Sequence, residues 1–344
     1  MKINKIRIIV LSIVIFAIGG GIGYGAEYYC NFRQTKYLIS NILPVRENNF
    51  NYKFIYPLLR YEFGDAKYYL ENKDLEQKIN NYIQKQYQDQ NAESISVYFS
   101  NLLTGRWSGV NADTQYIPGS LMKVLIMMGY YRESQLDQST MQKSFTYSKE
   151  VDQAVQSIPN VIPTNLIIGQ SYTTKYITED MIENSDDGAE VLLLANIDKK
   201  IFDDVFEDLK IPALGTTLNY TISPKDYTAF LKILYNSTYM TEVNSEEALS
   251  FLSKTTYHDG IYAGVPSGVI VAQKYREAVD TDPTSEEIVG TDLHDCGIIY
   301  AKTYPYTLCI MTKAKGLVAQ KQLASIIKDI SAIVYSYVSS GGGK

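Results

Sequence analysis

The sequence predicts a mixed α/β (α+β) protein: an antiparallel sheet formed by both chain ends and flanked by helices, an all-helical subdomain, and an N-terminal transmembrane helix. Three observations predict this. Strand-like runs with a tight turn between them come early, helical periods fill the middle third, and strands return just before a long final helix. Ahead of these, Ile8 to Ala26 runs about 19 residues without a charge.

The elements follow in order. Residues 1–7 carry three basic side chains, so this end stays cytoplasmic and the chain after the 8–26 anchor faces outward. No small-x-small cleavage site follows, and Cys30 sits behind Glu27-Tyr28-Tyr29, so a retained anchor is expected rather than a signal peptide. Residues 27–74 form a tyrosine-rich tether whose apolar patch Phe54 to Leu59 is expected to dock on the domain. The folded domain is placed at 75–338. Leu75, Ile79, Tyr82 and Ile83 share one helical face, and strands follow at about Ser94–Leu102 and Arg106–Val110, turned at Thr104-Gly105. Helices are expected at Ser120–Glu133, Glu179–Asn196, Lys199–Leu209, Pro224–Tyr235 and Ser245–Lys254. Strands are expected at Val265–Lys274, Cys296–Thr303 and Tyr306–Lys313, then a last helix at Leu317–Val338. The acidic stretch from Arg276 to Asp292 reads as a long loop, and 339–344 as a frayed end.

Chemistry concentrates at Pro118-Gly119-Ser120-Leu121-Met122-Lys123. Pro and Gly make a turn, and Leu121, Val124, Leu125, Met127 and Met128 continue as a buried helix. Ser120 and Lys123 stand three residues apart on one helical face, with the hydroxyl at the positive end of the dipole. A lysine desolvated against an apolar helix can take a serine's proton, so no histidine is needed. The chain has only His258 and His294, both read as ordinary structural residues. The bland alternative for Ser120 and Lys123 is a helix start with a snorkelling lysine. For Ser185-Asp186-Asp187 it is an N-cap followed by acids in a first turn. For Lys274 it is a solvated strand end.

The order of the three segments tips the balance. Ser120-x-x-Lys123, Ser185-Asp186-Asp187 and Lys274 resemble the S-x-x-K, S-D-N and K-T-G boxes of the penicillin-recognising serine enzymes, the class A β-lactamases and penicillin-binding proteins. Flanking text agrees: Ser96 to Gly105 resembles the family's first hairpin, Ser223-Pro224 the start of the helix after the Ω-loop, and Gly268 to Lys274 the strand ending in the third box. The resemblance implies that Ser120 attacks a β-lactam or D-alanyl peptide carbonyl and that Lys123 is the acylation base. It further implies that Ser185 relays a proton to the leaving nitrogen and that Lys274 holds the substrate carboxylate. The Ser120 N–H and the strand just past Lys274 would form the oxyanion hole. Asp186 and Asp187 are expected to orient the lysines.

Three departures from the family pattern stand out. Asp187 replaces an asparagine. Tyr275 and Arg276 replace Thr and Gly of the third box, so Arg276 either obstructs the groove or grips a substrate carboxylate. Gly215 stands where class A enzymes carry the Ω-loop glutamate that activates the deacylating water. Three readings therefore stay open: a class A type β-lactamase, a penicillin-binding-protein-like carboxypeptidase or slowly deacylating penicillin sensor, and a non-catalytic module that binds cell-wall peptides or a partner.

Composition narrows the classes. A net charge of −6 without a basic, aromatic-interleaved stripe argues against nucleic acid. Cys30, Cys296 and Cys309 form no metal-ligand pattern, no cofactor is implied, and Cys296 and Cys309 read as buried free thiols. The 30 tyrosines read as packing.

Overall fold

The computed structural model describes residues 42–46, 52–63, 71–158, 160–209, 220–281, 288–316 and 320–343. The strands are β1 (Ile42–Arg46), β2 (Leu58–Phe63), β3 (Ser94–Asn101), β4 (Trp107–Val110), β5 (Ser144–Thr146), β6 (Ser171–Thr173), β7 (Val271–Thr281), β8 (Ile288–Ile299) and β9 (Tyr306–Lys315). The helices are α1 (Lys73–Gln88), α2 (Lys123–Leu136), α3 (Lys149–Gln156), α4 (Thr174–Glu183), α5 (Asp187–Leu194), α6 (Lys199–Asp208), α7 (Pro224–Asn236), α8 (Glu242–Leu252) and α9 (Gln320–Ser339).

Five strands make the central antiparallel sheet in the order β4-β3-β9-β8-β7. Early strand β3 pairs with late strand β9, Val97 facing Ile310 and Phe99 facing Leu308, so the sheet is built by both ends of the domain as expected. Side chains alternate across a strand. Leu308 and Ile310 therefore enter a core with Leu75, Ile79 and Ile83 of α1 and Leu323, Ile327 and Ile330 of α9. Cys309 and Met311 enter the opposite core, beneath α2 and α7. Helix α2 is buried from Lys123 to Tyr131, which makes it the hub of the helical half. Ser223 caps α7 by accepting the Asp226 N–H at 3.1 Å, with Pro224 in the first turn where its missing N–H costs nothing.

Within the expected tether, β1 and β2 pair, and Phe54 and Ile55 are buried. Glu246 fixes this segment by accepting the N–H groups of Lys53, Phe54 and Ile55 at 2.8, 2.9 and 3.1 Å. The ring of Phe54 meets Tyr300 edge-on at 5.6 Å.

Several expectations are corrected. The stretch 276–292 is mostly strand, because β7 and β8 continue their ladder out to Thr281 and Ile288. The single helix read over 179–196 is two, broken where Ser185 takes a φ of +57° and Asp186 caps α5 by accepting the Ala189 N–H at 2.8 Å. The glycine tail is held: Asn101 Nδ2 donates to the Gly343 carbonyl at 3.1 Å, and the Tyr304 hydroxyl donates to that of Gly342. Cys296 and Cys309 are not free thiols; they oppose each other on β8 and β9 and form a disulfide. Periodicity places each cysteine in a strand, but only register makes them neighbours. The predicted anchor at 8–26 lies outside the described residues. Among those described, no helix is long and apolar enough to cross a membrane.

Candidate active site

Ser120 lies half-buried in a 3-10 turn over Gly119–Met122, and Lys123 opens α2 directly behind it. The turn packs against β7. There Arg276 lies so close over Gly119 that a Cβ at that position would stand 2.1 Å from its Nη1. Gly119 also has a φ of +46°, so glycine suits this turn beneath Arg276.

The helix break at 184–186 brings the second segment to the first. Lys123, with no exposed surface, donates from Nζ to the Ser185 carbonyl at 2.5 Å and to Asp187 Oδ1 at 2.5 Å. Glu190 Oε2 stands 3.5 Å from the same nitrogen. The other oxygen of Asp187 accepts the Ile162 N–H at 2.6 Å. Asp186 turns away, its Oδ2 accepting the Asn165 N–H at 2.7 Å while Oδ1 caps α5. So Asp187 pairs with a lysine, whereas Asp186 holds backbone. Ser185 is fully buried, and its hydroxyl makes no hydrogen bond to a described group. A buried, unsatisfied hydroxyl on a left-handed non-glycine residue is uncommon and concentrates at functional sites.

Lys274, from β7, completes the cluster. It is fully buried, with Nζ 3.5 Å from the Ile182 carbonyl and 5.1 Å from the Tyr275 ring. Burial, reinforced by the charge of Lys123, holds its amine well below the ordinary lysine range, and Glu190, Asp187 and Asp295 oppose that drop. Burial likewise pushes the Glu190 carboxyl up. It does the same, more strongly, to Asp295, whose Oδ2 accepts the Ile261 N–H at 2.8 Å. Tyr275 stacks on Tyr257 with centroids 4.0 Å apart and so forms a wall beside Lys274.

Arg276 faces Asp292 at 3.7 Å and stands opposite His294 in the β7–β8 register. Burial, with the Arg276 charge added, depresses the fully buried His294 to about 3. Its Nδ1 accepts the Thr312 N–H at 3.3 Å. The unfolded chain takes up this proton below its ordinary value, and the folded chain does not until about 3. The contribution to stability is therefore whole above that ordinary value and lost as pH falls. Wild type is expected to lose about 3 kcal/mol more than His294→Gln between pH 7 and 4, read from urea midpoints. Equal losses in the two proteins would refute this. Asp295 has the opposite sign, losing its contribution as pH rises, and cancels in the comparison.

Of the residues expected from sequence, Lys123, Ser185, Asp187 and Lys274 thus meet in one buried cluster, next to the turn that carries Ser120 and under Arg276. Sequence reading missed Glu190 and Asp295. Glu190 was findable, since it follows Asp187 by three residues on the same helical face. Asp295 depends on strand pairing. Three carboxylates could stand in for the Ω-loop base: Glu183 pairs with Lys254 at 3.1 Å, Asp208 accepts the Tyr239 hydroxyl at 2.8 Å, and Glu207 is exposed. The Gly215 segment lies outside the described residues. Among those described, no His/Cys/Asp/Glu group is arranged to hold a metal ion.

Known proteins share this fold. The model of the beta-lactamase enzyme family matches residues 74–338. No curated protein matches. Among solved structures, PBP-A is similar with a TM-score of 0.65 and 17% identity, over 78% of this chain and 97% of its own. A PBP-A mutant solved as an acyl-enzyme complex with penicillin G is similar with a TM-score of 0.65 and 17% identity, over 79% and 99%. A class A beta-lactamase from Mycobacterium abscessus gives 0.61 and 16%, over 77% and 99%. At these identities the structures speak for the fold, and the family match spans most of the domain. The chain belongs to the beta-lactamase enzyme family.

Proposed function

We propose that the protein is a serine acyl-enzyme acting on β-lactams, with Ser120 as nucleophile and the cluster of Lys123, Ser185 and Lys274 taking up its proton. The observation that carries this reading is the convergence of two fully buried amines and an unpartnered hydroxyl, from three separate segments, beside the turn that presents Ser120. Burying two amines is costly unless something uses them. Ser120 Oγ would bond to the lactam carbonyl carbon as its proton passes into the cluster. The developing oxyanion would face the Ser120 N–H and the strand past Lys274. The carbon–nitrogen bond then breaks, the proton returns through Ser185 to the leaving nitrogen, and an ester on Ser120 remains. Arg276, permanently charged and lying over Gly119, is suited to the substrate carboxylate.

A second reading, a penicillin-binding carboxypeptidase or penicillin sensor that acylates and releases slowly, is favoured by Gly215 at the position of the deacylation base. Both readings place the domain outside the cytoplasm, tethered by 8–26. The Cys296–Cys309 disulfide suits an oxidising compartment.

A fluorescent penicillin tests the shared step. Wild type is expected to label covalently and Ser120→Ala not at all. Equal labelling of the two, or none of wild type, would leave only a binding module on this fold.

A further inference from the structure

We propose that the two buried amines have divided roles in this chain: Lys123 is the fixed cation of the cluster, and Lys274, uncharged, accepts the Ser120 proton through the Ser185 hydroxyl. The proposal rests on the acyl-enzyme reading and assigns the base within it.

The contacts of the two nitrogens differ in kind. Lys123 Nζ faces three acceptors, namely Asp187 Oδ1, the Ser185 carbonyl and Glu190 Oε2, at 2.5, 2.5 and 3.5 Å. An ammonium has three hydrogens to give and no lone pair. Three acceptors around one nitrogen, two of them carboxyl oxygens, match the three hydrogens of an ammonium. Asp187 stands where the family pattern has a neutral asparagine, so this chain has added an anion at the very point where Lys123 would need to lose its proton.

Lys274 Nζ has only the distant Ile182 carbonyl, at 3.5 Å, as a hydrogen-bond partner, and it makes no ion pair among the described residues. The groups facing it are Lys123 from α2, Asp187 and Glu190 from α5, Asp295 from β8 and the Tyr275 ring beside it. The nearby cation and full burial both favour the neutral amine. Ser185 belongs to the same buried cluster: its carbonyl is taken by Lys123, and its hydroxyl has no described partner and is left for the relay. Arg276, two residues beyond Lys274 on β7, supplies the permanent positive charge that a substrate carboxylate needs, which leaves Lys274 free of that duty.

The step balances without a co-reactant. Ser120 Oγ–H gives its proton to Ser185 Oγ as Ser185 gives its own to the Lys274 amine, which becomes an ammonium. The Ser120 oxygen bonds to the carbonyl carbon. On collapse the lactam carbon–nitrogen bond breaks, and Lys274 returns the proton through Ser185 to that nitrogen.

Reciprocal arginine variants test the assignment, because arginine keeps the charge and cannot act as a base. Acylation by fluorescent penicillin is followed against pH. Lys274→Arg is expected to lose about 10²–10⁴-fold in rate together with the rising limb of the profile. Lys123→Arg is expected to lose less and to keep that limb. The reverse order, or loss of the limb in folded Lys123→Arg, overturns the proposal. Should a variant not fold, 13Cε-lysine NMR of wild type answers the same question. Lys232 also titrates low, at about 8, and is assigned by Lys232→Arg. One further lysine signal is expected to titrate well below the rest and to be missing from Lys274→Arg or retained in Lys123→Arg, whichever folds; finding none overturns the proposal. Failure of wild type to label, or labelling of Ser120→Ala, defeats the acyl-enzyme reading instead, and the NMR result does not depend on it.

Discussion

Penicillin attached to Ser120 is expected to stay attached. Release of an acyl-enzyme needs a water with its proton removed, and that step is a separate demand from acylation. Asp187 and Glu190, the carboxylates around Lys123, are engaged with its ammonium, and Glu183 and Asp208 hold other partners. On the sequence reading that puts Gly215 at the family's glutamate position, deacylation is expected to run about 10²–10⁴-fold slower than in relatives that carry that base, the usual value of a positioned general base. The measurement is the decay of the fluorescent adduct after excess drug is removed, alongside the appearance of hydrolysed penicillin. Rapid turnover would contradict the expectation, and Glu190→Gln would then be the variant that shows whether this carboxyl drives it.

The second large effect concerns folding. Asp187→Ala removes the nearest counter-charge from an ammonium with no exposed surface and also strips the Ile162 N–H of its acceptor. Breaking a buried pair from one side leaves an uncompensated charge, at about 3–5 kcal/mol. Urea unfolding should show the midpoint falling with an unchanged slope. Asp187→Asn keeps one oxygen, which can serve only one of these two donors, and is expected to cost less than the alanine variant without being silent. A loss under about 1 kcal/mol for the alanine variant would mean that Lys123 does not depend on this ion pair.

Much of this was legible in the chain. Serine and lysine one turn apart, a proline-glycine turn ahead of them and an unbroken apolar run behind are local facts, and the turn and α2 follow from them. The strand pattern gave β3, β4 and β9 because alternation is local too, whereas β7 and β8 run far into residues read as a loop. What stayed hidden depends on pairing across distance. Cys296 and Cys309 bond because β8 and β9 register there. Asp295 reaches Lys274's surroundings through the β7–β8 ladder. The break at Ser185 was obscured because Glu179 to Asn196 has sound helical composition. Only Asp186, read as a capping residue and not merely as the middle of a box, announced a new helix.

The clamp on residues 52–57 changes where this protein can be cut. Similarity begins at residue 74, yet Phe54 and Ile55 fill a slot against Tyr300, and Glu246 spends its carboxylate on their backbone. Each such side chain gives up about 1.5–3 kcal/mol when returned to water. A fragment trimmed to the family boundary would bare that slot and leave an acidic side chain without its donors, so the unit that folds extends some twenty residues upstream of what kinship alone marks out.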